Sequence, residues 1–320
     1  MRKPAILLLK EIYYPLLAAA CLPANMITVF ILLRRNCGLS KCISTYMVAM
    51  ATADLLVIIN SIIVYRILSY HFPFSFLSHT PVCKLIVYMI TVSLDLTVWF
   101  TVSFTFDRFV VICCQRFKAK YCTKRTATTV LTVVSVLILL KNIPVLFAYE
   151  PEKIINKIQW GCRSSAIFLA SSPGIAFVWF YSAWVAWLPF ILMFLFNSLT
   201  IHRILVANRI HIGLKGHRSE NHSNSEMENR RKSIILLFSV SISFILLWLT
   251  HSTSFTITRL SSPNYYRGDL NNPEYIATET GHILKLLSCF LNPCIYAMTQ
   301  NKFRAELNNV MKCLLNKFFD

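Results

Sequence analysis

Long uninterrupted runs of apolar residues dominate the chain. A helix that crosses the hydrocarbon of a bilayer needs about 20 predominantly apolar residues, because its backbone finds no other hydrogen-bond partners there. Seven runs meet this requirement, and they lie near residues 12–34, 44–69, 82–112, 126–148, 173–206, 233–260 and 274–299. The pattern therefore predicts an all-α membrane protein built as a bundle of seven transmembrane helices.

An eighth, amphipathic helix is predicted after the seventh run. Phe303, Leu307 and Val310 recur at helical spacing among basic residues, as in helices that lie on a membrane surface. We therefore divide the chain into an N-terminal segment (1–11), a membrane domain (12–299) and an amphipathic helix with a short tail (300–320). Cys313 on this helix is either a palmitoylation site or a buried free thiol.

The composition excludes an ordinary water-soluble domain. Hydrophobic residues make up 56% of the 320 residues and charged residues 14%, whereas soluble domains carry about 25% charged residues. No internal repeat and no low-complexity segment interrupts the seven runs. The chain is therefore expected to be one membrane domain with short connections.

Basic residues are concentrated on one side of the predicted domain. If the N-terminus lies outside, the inner connections and tail hold 20 of the 32 lysines and arginines but six of the 14 acids. Basic loops remain on the cytoplasmic side, so we expect a multi-pass plasma-membrane protein with an extracellular N-terminus. This topology accounts for the net charge of +18 without nucleic acid as a partner, with membrane lipid as the surroundings.

The cysteine positions predict one disulfide bond. In this topology only Cys83 and Cys162, of 11 cysteines, lie on the oxidising outer side. A bond between them is the natural inference, and two unrelated free thiols are the alternative. The cysteines are too dispersed in sequence for a zinc site, so no metal centre is expected.

Three polar residues lie inside predicted helices, two of them midway along the helix and Asn292 near the inner end of helix seven. Ionisable groups are costly inside a bilayer, which makes Asp54 in helix two notable, together with Asn25 in helix one and Asn292 in helix seven. One interpretation is a functional polar cluster that links these helices and binds a sodium ion. The other is a structural cluster with Asp54 protonated. No further cofactor is expected.

The inner end of helix three carries a charged pair followed by an aromatic residue. Asp107, Arg108 and Phe109 lie 24 to 26 residues after Cys83, and at about 1.5 Å per residue this separation is one membrane thickness. The arginine can extend its charged group to the interface at this depth.

Together these landmarks resemble those of the rhodopsin-like G-protein-coupled receptors, in order and over nearly the whole chain. The matching residues are Asn25, Ala51-Thr52-Ala53-Asp54, Cys83, Asp107-Arg108-Phe109, Cys162, Pro189, Phe244, Trp248 and Asn292-Pro293-Cys294-Ile295-Tyr296. The resemblance implies a heterotrimeric G protein and an extracellular small molecule or short peptide as partners. It implies a receptor rather than an enzyme.

The resemblance also implies roles for the matched residues. Arg108 should hold Asp107 at rest and face the G protein in the active state. Helix seven should rearrange at Asn292, Pro293 and Tyr296. In helix six, Phe244 and Trp248 belong to the activation switch, and Trp248 should lie below the ligand, although it is equally interpretable as a core aromatic residue.

The sequence departs from the family pattern in helices three, five and six. Phe109 replaces a tyrosine, Asn197 stands where helix five usually has a tyrosine, and Thr250 replaces the proline two residues after Trp248. Proline kinks a helix, so helix six is expected to bend less than in other members, which puts the strength of coupling in question.

More narrowly, the chain resembles an orphan branch near the aromatic-amino-acid-sensing receptor of brain. Three segments carry this resemblance, namely residues 37–42, 104–110 and 230–238. It implies coupling through the phospholipase C branch. A poorly signalling protein of the receptor fold and a membrane transporter are the alternatives.

The outer halves of helices three, five, six and seven supply a candidate ligand pocket. Its residues are Ile90, Thr91, Leu94, Asp95, Tyr181, Trp248, His251, Phe255 and His282. Our hypothesis is that Asp95 and His251 bind opposite ends of a small zwitterionic or amine-bearing aromatic ligand. The alternative is a protonated Asp95 that bonds to a neighbouring hydroxyl.

Lys285 in helix seven invites comparison with the retinal-binding lysine of opsins. By resemblance that lysine lies six residues before the helix-seven asparagine, a position that Leu286 occupies here. Lys285 is one residue away, or about 100° around the helix. We expect it instead to pair with an acid or to extend towards the membrane surface.

Overall fold

Seven long helices form the bundle of the computed structural model, which describes residues 5–34, 39–114, 121–213, 221–261 and 273–319. Helix α5 is built from three consecutive segments, Ser172–Ser182, Ala183–Trp187 and Leu188–Gly213. The other helices are α1 (Ala5–Arg34), α2 (Lys41–His71), α3 (Thr80–Cys113), α4 (Lys124–Lys141), α6 (Asn221–Ser261) and α7 (Pro273–Thr299). The predicted seven-helix architecture is thereby confirmed.

Helix α3 lies at the centre of the bundle. It packs against α2, α4, α5 and α6, while α1 packs against α2 and α7. The most extensive contact between two helices is that of α6 with α7. The central position of α3 explains why Asp95, Asp107 and Arg108 are all buried, and it places the outer and inner functional residues on one rigid element.

The outer surface of the bundle is apolar, as lipid contact requires. Leu16, Leu33, Phe194 and Leu246 are among its large exposed hydrophobic side chains, a pattern that would be a liability in water. Among the described residues, six helices are long and apolar enough to cross a membrane. Helix α7 is long enough as well, but three charged residues make it less apolar.

Two helices contain π-helical stretches, and a proline shapes the end of a third. The stretches are Ile58–Leu68 in α2 and Ala183–Trp187 in α5. Helix α4 ends at Lys141 and continues as a 3-10 turn, Ile143–Leu146, that contains Pro144. Proline lacks the N–H that a continuing helix needs. The interruption leaves Asn142 buried at the helix end, facing α3.

The second outer loop consists of four short strands. Strand β1 (Tyr149–Glu150) pairs with β4 (Arg163–Ser164), and β2 (Lys153–Ile155) pairs with β3 (Ile158–Trp160), both antiparallel. The β2–β3 turn holds Asn156 and Lys157 at φ of 49° and 66°; two positive φ angles are typical of a tight hairpin turn.

A disulfide bond ties this loop to α3. Cys83 in the first turns of α3 is bonded to Cys162, and the two residues are 79 positions apart in sequence. The predicted bond is therefore confirmed, and the alternative of two free thiols is wrong.

Both ends of the chain differ in detail from the predicted boundaries. Helix α1 begins at Ala5, so most of the segment 1–11 is helical. The amphipathic helix α8 spans Asn301–Phe319 and packs Phe303 against Tyr296, with ring centroids 6.2 Å apart. Cys313 is exposed, which contradicts the buried-thiol alternative, and its palmitoylation stays a prediction. Part of the segment 37–42, residues 37 and 38, lies outside the described residues.

Candidate functional site

At the inner end of α3, Asp107 and Arg108 form a buried ion pair. A guanidinium nitrogen of Arg108 donates to Asp107 Oδ2, and the side chains are 2% and 1% exposed. The guanidinium also lies 5.8 Å from the centre of the Phe104 ring. Arg108 is therefore held in a contact within its own helix, the arrangement that the family resemblance implies for a resting receptor.

The neighbours of this pair include two cysteines that sequence reasoning did not connect. The Cys42 thiol of α2 donates to Asp107 Oδ1 at 3.2 Å, and Arg108 Nη2 lies 3.7 Å from Cys122 Sγ. Cys122 lies just before α4 and outside the membrane helices. The neighbouring Cys42 side chain, with a further contribution from Arg108, lowers the pKa of the Cys122 thiol to about 6.

Of two departures from the family pattern, Phe109 contacts α5 and Asn197 lies on it. Phe109 stacks on Phe196, with ring centroids 5.6 Å apart. At this position Phe109 therefore provides an aromatic contact with α5. Asn197, which replaces a tyrosine, is 8% exposed, and its Oδ1 has no hydrogen-bond partner among the described atoms. These contacts place the inner halves of α3 and α5 side by side.

Phe244 and Trp248 form a stacked pair at the middle of α6. Their rings are 5.0 Å apart, and Phe190 of α5 lies 6.1 Å from Phe244. Trp248 Nε1 donates to Ser288 Oγ of α7 at 3.3 Å. The tryptophan is therefore both a core residue, 2% exposed, and a polar link between α6 and α7.

Helix α6 is continuous through Thr250. It spans Asn221–Ser261 without interruption, and the Thr253 hydroxyl donates to the Thr250 carbonyl at 3.1 Å. The helix contains no proline, and its weaker bend stays a prediction.

The polar cluster at mid-depth joins α2, α3 and α7. Asp54 accepts a hydrogen bond from Asn292 Nδ2 at 2.8 Å and another from the Thr97 hydroxyl at 3.3 Å. Asn25 instead donates to the carbonyl of Cys289 at 2.9 Å, so it joins α1 to α7 without bonding to Asp54. Thr97 is the member that the sequence pattern missed.

A small cavity borders this cluster. It has a volume of about 10 Å³, at the lower limit for one water molecule. Its lining consists of Thr97, Thr101, Val240, Ser243, Phe244, Ser288 and Asn292. The carboxylate of Asp54 and the hydroxyl of Thr97 are oxygen ligands of the kind that sodium takes, but an ion there would need the donors to reorient. Sodium binding stays a prediction.

In the outer half of the bundle, Asp95 pairs with α4. Lys141 Nζ lies 2.6 Å from Asp95 Oδ2, and Asn142 Nδ2 donates to the same oxygen at 2.7 Å. This arrangement differs from the alternative of a protonated Asp95 bonded to a hydroxyl. The other oxygen, Oδ1, is buried and has no hydrogen-bond partner among the described atoms.

Lys285 points into the bundle rather than towards an acid or the membrane surface. It is 4% exposed, and its Nζ lies 2.8 Å from His251 Nε2 and 5.5 Å from the centre of the Trp248 ring. The expectation that Lys285 pairs with an acid or reaches the surface is therefore wrong. Both Lys285 and Leu286 are buried, because α7 packs against several helices and has a wide inner face.

Aromatic rings surround this lysine. The ring centre of His251 lies 4.5 Å from that of His282 and 6.2 Å from that of Phe255. The ring centres of Phe255 and Tyr181 are 6.4 Å apart. The Tyr181 ring in turn lies 4.6 Å from Lys141 Nζ. These contacts join the Asp95 and Lys285 ends into one group of side chains.

The remaining candidates lie on α3 beside this group. Leu94 packs against the apolar cluster that contains Trp248. Ile90 and Thr91 are half-buried, with the Thr91 hydroxyl donating to the Val87 carbonyl at 2.8 Å.

The pocket residues that the sequence pattern missed are Lys141, Asn142 and Lys285. The signal for the first was available, since ionisable residues in a membrane helix usually pair with one another. Lys141 and Asp95 both lie inside predicted spans, on consecutive helices.

Comparison with known proteins assigns the chain to a family. The family described as 7 transmembrane receptor (rhodopsin family) matches residues 24–296, a range that reaches from the middle of α1 to the end of α7. The chain belongs to this family. The receptor is also similar to the human C-C chemokine receptor type 8, with 22% identity over 318 residues, 98% of this chain and 81% of that protein.

Family membership confirms the main features inferred from the residues. The chain is a G-protein-coupled receptor and a multi-pass protein of the plasma membrane. It has a G protein and an extracellular ligand as its classes of partner.

Proposed function

We propose that the receptor binds a small aromatic ligand in the outer half of the bundle and activates a heterotrimeric G protein at its inner face. The observation that carries the proposal is the continuous group of side chains from Asp95 to Lys285, which ends on Trp248. Such a group combines apolar walls with a few convergent polar atoms, as small-molecule sites usually do.

The charges of this group favour a ligand that carries a carboxylate. Lys141 is neutralised by Asp95 at 2.6 Å, whereas the near partner of Lys285 is His251. Among the described ion pairs, none joins Lys285 to a carboxylate within 4.0 Å. Buried charges are usually paired. An anionic ligand group beside Lys285 would compensate the charge of its ammonium group.

An ammonium group on the same ligand would find Asp95 Oδ1. That oxygen is buried without a described hydrogen-bond partner, although Lys141 and Asn142 hold Oδ2. The aromatic rings between the two ends complete the features that an aromatic α-amino acid requires. This supports our hypothesis of a zwitterionic ligand, with Lys285 added to His251 at the carboxylate end.

Resemblance to the orphan branch near the aromatic-amino-acid-sensing receptor of brain gives the proposal its ligand class and its signalling branch, phospholipase C. The similarity to a C-C chemokine receptor favours a second candidate, a peptide or small protein ligand, which the outer strands β1–β4 would contact.

The test is activation of a panel of G proteins by the surface-expressed receptor. Aromatic amino acids, the amines obtained from them by removal of the carboxylate, and short peptides are added in turn, with Arg108→Ala as the inactive control. We expect the amino acids to activate the phospholipase C-coupled G protein and Arg108→Ala to abolish the response. Activation by peptides alone would show that the ligand is a peptide and not an aromatic amino acid. Silence of a well-expressed receptor would favour a poorly signalling member of the family or a transporter.

A further inference from the structure

Three potential metal ligands converge at the inner end of α3. They are the thiols of Cys42 and Cys122 and the carboxylate of Asp107, and their ligand atoms all lie within 4.8 Å of one another. They come from α2, from the segment that precedes α4, and from α3. The dispersal of the cysteines along the sequence had argued against a metal site, but the fold brings these two together.

The geometry of the three atoms suits a tetrahedral metal ion. Bonds of about 2.3 Å from Zn²⁺ to sulfur and about 2.1 Å to oxygen place tetrahedral ligand atoms roughly 3.5–3.8 Å apart. The Cys42 Sγ–Asp107 Oδ1 separation is 3.2 Å, and the other separations are at most 4.8 Å. Shifts of about 1 Å or less would therefore complete the arrangement, with a water molecule as the fourth ligand.

We propose that Cys42, Cys122 and Asp107 form a binding site for a thiophilic divalent cation of the Zn²⁺ type at the cytoplasmic face of the receptor. Thiolates select such ions over Mg²⁺ and Ca²⁺, which prefer oxygen ligands. Ion binding releases the thiol protons to solvent. Two thiolates, one carboxylate, the divalent ion and the adjacent Arg108 then sum to zero charge, so the site is electrically balanced in its buried position.

The ion would stabilise the resting arrangement of the receptor. Asp107 would bind it through Oδ1, the oxygen that now accepts from Cys42, while Oδ2 continues to accept from Arg108. The ion would also tie α2 and the segment before α4 to α3. A ligand favours the conformation in which its site is intact, so the ion reduces G-protein activation. This consequence, unlike the site itself, rests on the proposed function.

Binding is tested without any signalling assay. Purified receptor in detergent, kept in a mild reductant that leaves the Cys83–Cys162 bond intact, is titrated with Cd²⁺, whose bonds to thiolate give an ultraviolet charge-transfer absorption. Zn²⁺ is then added in competition. Cys42→Ser and Cys122→Ser each remove one ligand. Cys114→Ser is the matched control, since Cys114 is a partly exposed thiol at the end of α3.

We expect saturable binding of one ion in the wild type and in Cys114→Ser. Loss of a residue that only holds a metal ligand in place lowers metal affinity by roughly 10–100-fold. We expect each ligand variant to lose more affinity than that. Equal affinity in all four proteins, or no thiolate absorption in the wild type, would overturn the proposal. Conversion of Cys42 and Cys122 to a disulfide under these reducing conditions, seen by mass spectrometry, would also overturn it.

The effect on signalling is measured separately in membranes that contain the G protein. Exchange of a GTP analogue is compared in a Zn²⁺ buffer and in a chelator, and we expect Zn²⁺ to lower exchange several-fold in the wild type and in Cys114→Ser only. Higher exchange with Zn²⁺ would overturn the resting-state role. If no protein exchanges nucleotide while Cd²⁺ binds as expected, the proposed function fails and the metal site stands.

Discussion

Two lysines lie inside the outer half of the bundle, and their surroundings differ. Lys141 is 9% exposed and contacts the fully buried carboxylate of Asp95, while Lys285 contacts the imidazole of His251. Removing one partner from a buried ion pair leaves a charge without compensation, whereas removing both leaves none. We therefore expect the first lysine to contribute mainly to stability and the second to ligand binding.

We expect Asp95→Asn and Lys141→Met each to destabilise the receptor, because each leaves a buried charge unpaired. The expected loss is about 3–5 kcal/mol for either single change, and the double variant Asp95→Asn/Lys141→Met should recover most of it. Thermal unfolding of the purified wild type, the two single variants and the double variant measures these losses. Additive losses in the double variant would show that the two side chains do not interact.

Substitution of Lys285 should change ligand preference rather than stability. Lys285→Gln removes the cation beside the proposed carboxylate site but keeps a polar group of similar length. A hydrogen bond to a charged group contributes about 1.5–3 kcal/mol, so we expect an aromatic amino acid to lose roughly 10–100-fold in potency. The corresponding amine should be affected much less.

Dose–response curves for both compounds on the surface-expressed variant provide the measurement. Leu286→Ile, one position along α7, is a control in the neighbouring residue. An equal loss of potency for the amine and the amino acid would argue that Lys285 supports the pocket without touching a carboxylate.

Asp54 allows a test of sodium binding. Its oxygens face the donors Thr97 and Asn292, and a bound ion stabilises a folded protein by mass action. We expect sodium chloride to raise the melting temperature of the wild type by a few degrees over choline chloride, and Asp54→Asn to lose this difference. Equal melting temperatures of the wild type in both salts would instead favour the structural interpretation of the cluster.

The residues that sequence reasoning placed well are those whose position follows from one helix alone. The spacing from Cys83 to Arg108 fixes both ends of α3, and the helical period puts Trp248 and His251 on one face. The partners of Asp95 and Lys285 come from other helices. Their identity depends on helix rotation and packing, which a single sequence does not determine.

At the scale of elements, the family resemblance implies a proline in α6 at the position that Thr250 occupies here. A proline at position 250 would remove the hydrogen bond to the carbonyl of Leu246 and crowd it. We expect Thr250→Pro to cost roughly 3 kcal/mol of stability while making the outward bend of the inner half easier. Basal G-protein activation should therefore rise.

Nucleotide exchange without added ligand, normalised to surface expression, measures this effect, and Thr250→Ala is its control. The alanine variant removes the same side chain but keeps the backbone hydrogen bond. Identical basal exchange in the proline and alanine variants would mean that a kink in α6 does not limit activation here.

The end of α4 shows how a local break acts at a distance. Apolar runs predicted a helix to residue 148, but α4 ends at Lys141 and a 3-10 turn with Pro144 follows. The break turns Asn142 towards Asp95. Hydrophobicity predicts which residues lie in the membrane and does not predict how the backbone ends inside it.

At the scale of the whole molecule, α3 connects the outer and inner sites. Asp95 and Asp107 are 12 residues apart on this helix, or about 18 Å at 1.5 Å per residue. Asp95 contacts α4. Asp107 contacts α2, and the adjacent Arg108 contacts the segment before α4. We therefore expect a movement of α3 or α4 that a ligand causes at the outer end to alter the contacts around Arg108.

The orientation of the bundle in the membrane determines which of these sites meets the ligand. Lys and Arg in the inner connections outnumber those outside by 20 to ten, and short basic loops remain in the cytoplasm. We expect antibodies to stain an N-terminal tag on intact cells and a C-terminal tag only after permeabilisation. The bases Arg2, Lys3 and Lys10 oppose this orientation, so neutralising all three should leave the staining unchanged. Staining of the C-terminal tag on intact cells would invert the topology, and the outer pocket would then face the cytoplasm.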